Sequence, residues 1–128
     1  MSIKFKALEK GQPGVVGGGE KKFYASSVSS GETSLEDLTN IIQESCTVNG
    51  ADIRAVLYAM VSAAGRAMAN GQIVRLGDLG SLRFSINSRG EATANAVTAQ
   101  SIDGVKTIFT PGPKLKDTMK TLKFEKIQ

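Results

Sequence analysis

The chain contains no histidine and no tryptophan, one cysteine, three prolines, five phenylalanines and two tyrosines in 128 residues. Each shortage removes something. Without histidine, the commonest general base and metal ligand is missing. One cysteine and no histidine cannot build a zinc site of the usual Cys/His kind. A lone cysteine also forbids an intrachain disulfide. With no imidazole to activate it, Cys46 reads as a small buried hydrophobe. No wholly apolar run approaches the length of a bilayer span. Met1 to Lys10 alternates charge with apolarity, unlike a secretory leader. The expectation is a cytosolic protein with an aliphatic core, no cofactor and no small-molecule substrate.

The acids that remain do not suggest an enzyme. Glu36 and Asp37 stand where a helix begins and favour its dipole. Asp78 and Asp117 are scattered. The run Gly14-Val15-Val16-Gly17-Gly18-Gly19-Glu20-Lys21 brushes against a phosphate-binding loop but lacks Gly-Lys-Ser/Thr running into a helix. It reads as a flexible hairpin loop.

Charge is more informative by position than by sum. The formal net charge is +4. Residues 1–71 carry seven basic and seven acidic side chains, whereas residues 72–128 carry nine basic and five acidic. A neutral half beside a basic half points to a polyanionic partner; the alternative is a slightly basic solvated surface.

Period-two alternation predicts strands at Ile3–Ala7 and Lys22–Val28. Thr33 or Ser34 can cap a first helix carrying Leu35, Leu38, Ile41 and Ile42, with Asn49-Gly50 ending it. Ile53, Val56, Leu57, Met60, Val61, Ala64 and Met68 define a second helix with a wide apolar stripe. Gly65 inside it could admit another backbone or be merely tolerated. Asn70-Gly71 stops that helix. Short strands follow at Ile73–Leu76 and Leu82–Ile86, and Val105–Phe109 returns. Residues 91–104 are weakly patterned, like a loose ribbon tip. Pro113 suits a helix start, and Leu115, Met119 and Leu122 follow at helical spacing. Phe124 to Ile127 reads as a last strand, against Ile3–Ala7. Strands and helices are segregated, so the class is α+β.

Arg75, Arg83, Arg89 and Lys106 fall on or beside predicted strands, and Lys114, Lys116 and Lys120 on the last helix. Basic residues on one strand face can line a sheet surface and attract phosphates. The competing reading is a solvated lysine face. The second helix is too apolar for a thin sheet to cover, which favours an interface between two copies over burial within one.

Two segments resemble the HU/IHF family. Gly71-Gln72-Ile73-Val74-Arg75-Leu76 with Leu79-Gly80-Ser81-Leu82 is similar to the family's passage from second helix to sheet. Phe109-Thr110-Pro111-Gly112-Pro113-Lys114-Leu115-Lys116-Asp117 is similar to its last arm strand, Pro-Gly turn and C-terminal helix. The likeness covers about residues 34–122. It implies a homodimer with a helical base (34–70), a β-sheet saddle and arm (72–110) and a short C-terminal helix (113–122). Residues 1–30 resemble the extra N-terminal strands of longer HU-like bacterial variants.

The function implied is largely sequence-independent binding of double-stranded DNA, in the nucleoid, by a protein that is not an enzyme. Arg75, Arg83, Arg89, Lys106, Lys114, Lys116 and Lys120 would touch phosphates. HU and IHF grip bent DNA across the minor groove. Here the arm departs from the family. No proline lies between Pro13 and Pro111, and residues 87–105 set Arg89 against Glu91 and Asp103. An HU-fold interaction module that has lost DNA binding is the alternative.

Overall fold

The alternation at the N-terminus does form a strand, and its partner is the one its sequence neighbour suggests. A computed structural model describes residues 1–127. The elements run β1 (Ile3–Lys10), β2 (Lys22–Val28), α1 (Leu35–Ser45), α2 (Gly50–Ala69), β3 (Val74–Arg75), β4 (Gly80–Ser88), β5 (Ile102–Pro111), α3 (Pro113–Lys120) and β6 (Phe124–Lys126). Contacts divide the chain into two compact units, Met1–Ser34 with Met119–Gln128, and Leu35–Thr118.

The first unit is a three-stranded sheet in the order β2-β1-β6. β1 and β2 are antiparallel, from Lys4 opposite Val28 to Lys10 opposite Lys22. The loop between them closes through Gln12 N–H to Gly18 O (2.6 Å) and Gly18 N–H to Val15 O (2.9 Å). Gly14, Gly17, Gly18 and Gly19 all have positive φ there, which explains the run of glycines. β6 pairs in parallel with β1, Ile3 beside Phe124.

The second unit holds the helical pair and the sheet β3-β4-β5. Asn49 does not end the first helix as expected. That helix stops at Ser45, and Asn49 caps α2, accepting the Asp52 N–H at 3.0 Å. α2 ends as its sequence signals. Gly71 has φ +80°, its N–H reaches Met68 O (2.9 Å), and Gln72 N–H reaches Ala67 O (3.1 Å).

Between α1 and α2, Arg54 clamps Glu36 with two bonds, Nη2 to Oε1 at 2.6 Å and Nε to Oε2 at 3.0 Å. Thr39 is fully buried on α1, its hydroxyl donating to Leu35 O at 2.9 Å. The stripe expected on α1 is therefore divided: Thr39 lies inside while Leu38 and Ile41 are exposed. On α2 only Ile53 and Met68 are buried, whereas Val56 and Val61 are 65% and 61% exposed.

Cys46 is exposed, contrary to expectation, because it stands just past α1 on an open groove. That groove, of about 250 Å³, is lined by Ile42, Val48, Ile53, Val56 and Leu57 together with Cys46.

β4 and β5 form the long ribbon. Its tip is better built than its weak patterning suggests. Two short 3-10 turns, Ala94–Ala96 and Ala99–Ser101, lie between the strands, and Ser101 is almost wholly buried. Thr98 and Ser101 cap one another's backbone as a capping box.

Candidate nucleic-acid interface

Three of the seven candidate cations share one sheet face. The register sets Arg75 opposite Ser81. It sets Arg83 opposite Ile108 and Ser85 opposite Lys106. Residues 81, 83 and 85 alternate to the same side of β4. Arg75, Arg83 and Lys106 therefore run diagonally across a single face, one from each strand. Ser81, Ser85, Asn87 and Thr110 share that face, and so does Ile108, directly opposite Arg83. The opposite face carries Leu82, Phe84, Ile86, Val105 and Phe109. Sequence alternation exposed the cations; it did not reveal which serine or threonine of a neighbouring strand would stand beside each. Those depend on register.

Arg75 also lines a shallow cleft of about 300 Å³ with Ser81, Thr110, Pro111 and Gly112. The cleft exists because two turns press together. Leu76 N–H bonds Gly80 O (2.7 Å), Gly112 N–H bonds Leu79 O (2.9 Å), and Lys114 N–H bonds Asp78 O (3.3 Å). Gly80, at φ +147°, lies against Thr110 O and the Phe109 ring, where no side chain fits.

Arg89 does not join this row. It lies beyond the register shift at Asn87/Ser88, and its Nε is paired with Glu91 Oε1 at 2.9 Å. The same carboxylate oxygen accepts the Ser101 hydroxyl at 3.1 Å. Ser101 O in turn receives Arg89 N–H (2.9 Å) and the Ser88 hydroxyl (3.2 Å). Arg89 thus helps to lock the tip. This cluster was not foreseen, since nothing in the hydrophobic pattern marks Ser101.

The helical lysines also divide. Lys116 and Lys120 stand four residues apart, on one side of α3. Lys114 is turned about 200° from Lys116. Pro113 opens the helix, as expected from its fixed φ.

Among the described residues no cluster of three or more His, Cys, Asp or Glu side chains could hold a metal ion. No described helix is long and apolar enough to cross a membrane.

Helical hairpin, three-stranded sheet with a long β4-β5 ribbon, Pro-Gly turn and short terminal helix together define an HU-like fold. The chain belongs to the family described as an HU domain fused to wHTH, Ig, or a glycine-rich motif, whose model matches residues 1–126. Twelve chains of solved structures match it. One is a protein of Bacteroides vulgatus ATCC 8482 described as a "Putative bacterial DNA binding protein". The two share 17% identity with a TM-score of 0.68, over 98% of this chain. This chain spans about half, 48%, of the length of that protein. No curated protein matches.

Proposed function

We propose that this chain binds double-stranded DNA as a homodimer, largely without sequence preference, in the manner of a nucleoid-associated architectural protein. The observation that carries this reading is the diagonal of Arg75, Arg83 and Lys106 on one sheet face that is polar but for Ile108. Cations on a flat face, with hydroxyls between them, suit phosphates rather than base edges. Contacts of that kind position a duplex without reading it. Lys116 and Lys120 on α3 would add to the same electrostatic attraction. Lys114, on another side of that helix, and Arg89, held by Glu91, would contribute less.

The homodimer is supported by what one chain leaves uncovered. The surface exposed is 10194 Å². Two separately compact bodies the size of the two units would expose only about 7,800 Å². The uncovered apolar side chains include Leu38 and Ile41 on α1 and Val56, Tyr58, Met60 and Val61 on α2. A helical pair apolar on its outer side needs a second copy to bury it.

The test is a gel-shift series on random-sequence duplex DNA, with sedimentation of the free protein. The expected result is a dimer that binds at low salt and loses affinity steeply as salt rises. Absence of any shift at low salt would reject DNA binding.

A second reading keeps the dimer without DNA. The arm favours it, because Arg89 is neutralised by Glu91 and no proline stands at the tip to wedge between bases. A dimer that ignores DNA at low salt would select this alternative.

A further inference from the structure

Over residues 1–71 acids and bases cancel, yet the β2-β1-β6 sheet sorts them by face. Alternation along β1 puts Lys4, Lys6 and Lys10 on one side. Lys22 of β2 joins them, directly opposite Lys10. Glu125 of β6, beside Lys4, is the sheet's only acid on that side, and it also accepts the Ser2 hydroxyl at 3.1 Å. The same side also holds Leu8, Tyr24, Ser26 and Val28, while the other takes Ile3, Phe5, Phe23 and Phe124, along with Glu9 and Lys126. Among the described residues none of the four lysines is in an ion pair, and all four are exposed.

Two features make this more than a solvated strand. Like charges placed directly opposite destabilise a free sheet, and Lys10 against Lys22 is such a pair. Lys21 adds a further cation next to it. Edge protection is the ordinary reason for lysine on a small sheet, but Lys4, Lys6 and Lys10 stand on β1, the central strand. Here four lysines against Glu125 share one side, while Glu9 and Lys126 cancel on the other.

The spacing also describes the ligand. Lys4 and Lys6 repeat at about 6.8 Å along the strand. They present point charges on a flat surface, which hold phosphates without reading bases. A single strand would call for several exposed aromatic platforms, but the lysine side has one aromatic ring, the half-buried Tyr24, and the most exposed phenylalanines, Phe23 and Phe124, stand on the opposite side.

We propose that the lysine face of the N-terminal sheet is a second phosphate-contacting surface for duplex DNA, distinct from the face bearing Arg75, Arg83 and Lys106. The inference rests on the DNA-binding reading above.

The test uses the full chain and a random-sequence duplex, with binding followed by fluorescence anisotropy across a salt series. One variant combines Lys4→Gln, Lys6→Gln, Lys10→Gln and Lys22→Gln. A second combines Arg75→Gln, Arg83→Gln and Lys106→Gln. The first is expected to lower the slope of log affinity against log salt by about 2–4, near one unit per lost phosphate contact. Without DNA it should melt no lower than the parent, since the Lys10–Lys22 repulsion is gone. The matching Lys→Arg set should keep the parent's slope.

A parental slope and affinity in the Lys→Gln set, with loss only in the second variant, would overturn the proposal and leave the sheet-saddle reading standing. Loss of binding to phosphatidylglycerol vesicles with DNA binding intact would overturn it in favour of a membrane surface. A parent that binds no duplex at low salt would remove both readings.

Discussion

Gly112 lies so close to Asp78 that a Cβ at residue 112 would fall 2.5 Å from the Asp78 carbonyl oxygen. Gly80, two residues on from Asp78, is equally confined against Phe109 and Thr110. Gly80→Ala adds an unfavourable positive φ to the clash, so its cost should exceed about 2 kcal/mol. Gly112→Ala should also destabilise, by a shift of the turn. Urea unfolding at fixed protein concentration measures both. Parental stability in Gly80→Ala would mean that these two turns do not pack as described.

The outer side of α2 supplies a second expectation. A charge placed at Val56 or Val61, as in Val56→Glu or Val61→Glu, would stay largely solvated in one chain, where these residues are mostly exposed. In a dimer closed over that side, each buried charge would be left unpaired, costing several kcal/mol. The variants should therefore sediment as monomers or unfold, and the parent's Tm should rise with protein concentration. A monomeric parent with Tm independent of concentration rules out the proposed assembly.

Arg83 and Arg89 differ in what holds them. Arg83→Gln should weaken duplex binding and lower the salt slope by about one unit. Arg89→Gln should change that slope much less, because the Arg89 guanidinium already faces Glu91. If the two substitutions cost the same, the Glu91 pair does not persist in the complex.

The tip gives a separate prediction. Glu91→Ala removes the acceptor for both Arg89 Nε and the Ser101 hydroxyl. Amide exchange across residues 88–101 should speed up, with helix α2 unaffected. Unchanged exchange would show that the backbone bonds alone hold the tip.

Ion pairing between the helices is expected to matter little. The Arg54 and Glu36 side chains are 40% and 60% exposed. Arg54→Ala should cost no more than about 1 kcal/mol in chemical denaturation.

What was readable in the sequence was chemical punctuation. Asn70-Gly71 reads as a helix stop, Pro113 suits a helix start, and the Ile3–Ala7 alternation reads as a half-buried strand. Asn49 caps α2 rather than ending α1, since an Asn-Gly pair starts one element as readily as it stops another. Thr39 and Ser101 were invisible. Each is buried by a hydrogen bond to a particular backbone carbonyl or carboxylate, and no hydrophobic period records that. The lysine face of the first sheet was hidden for another reason. Its charges cancel in a count along the chain and separate only when alternate residues turn to opposite sides. Cys46 is exposed because it lies past the end of α1, where helical spacing no longer tells inside from outside.

The glycine contact between the two turns also acts as a ruler. It fixes where β4 starts against the end of β5, Gly80 beside Pro111. Because side chains alternate, sliding β4 by a single position would exchange Arg83 for an apolar neighbour. Damage at Gly80 or Gly112, neither of which carries a charge, would thus be felt as a cationic surface turned greasy.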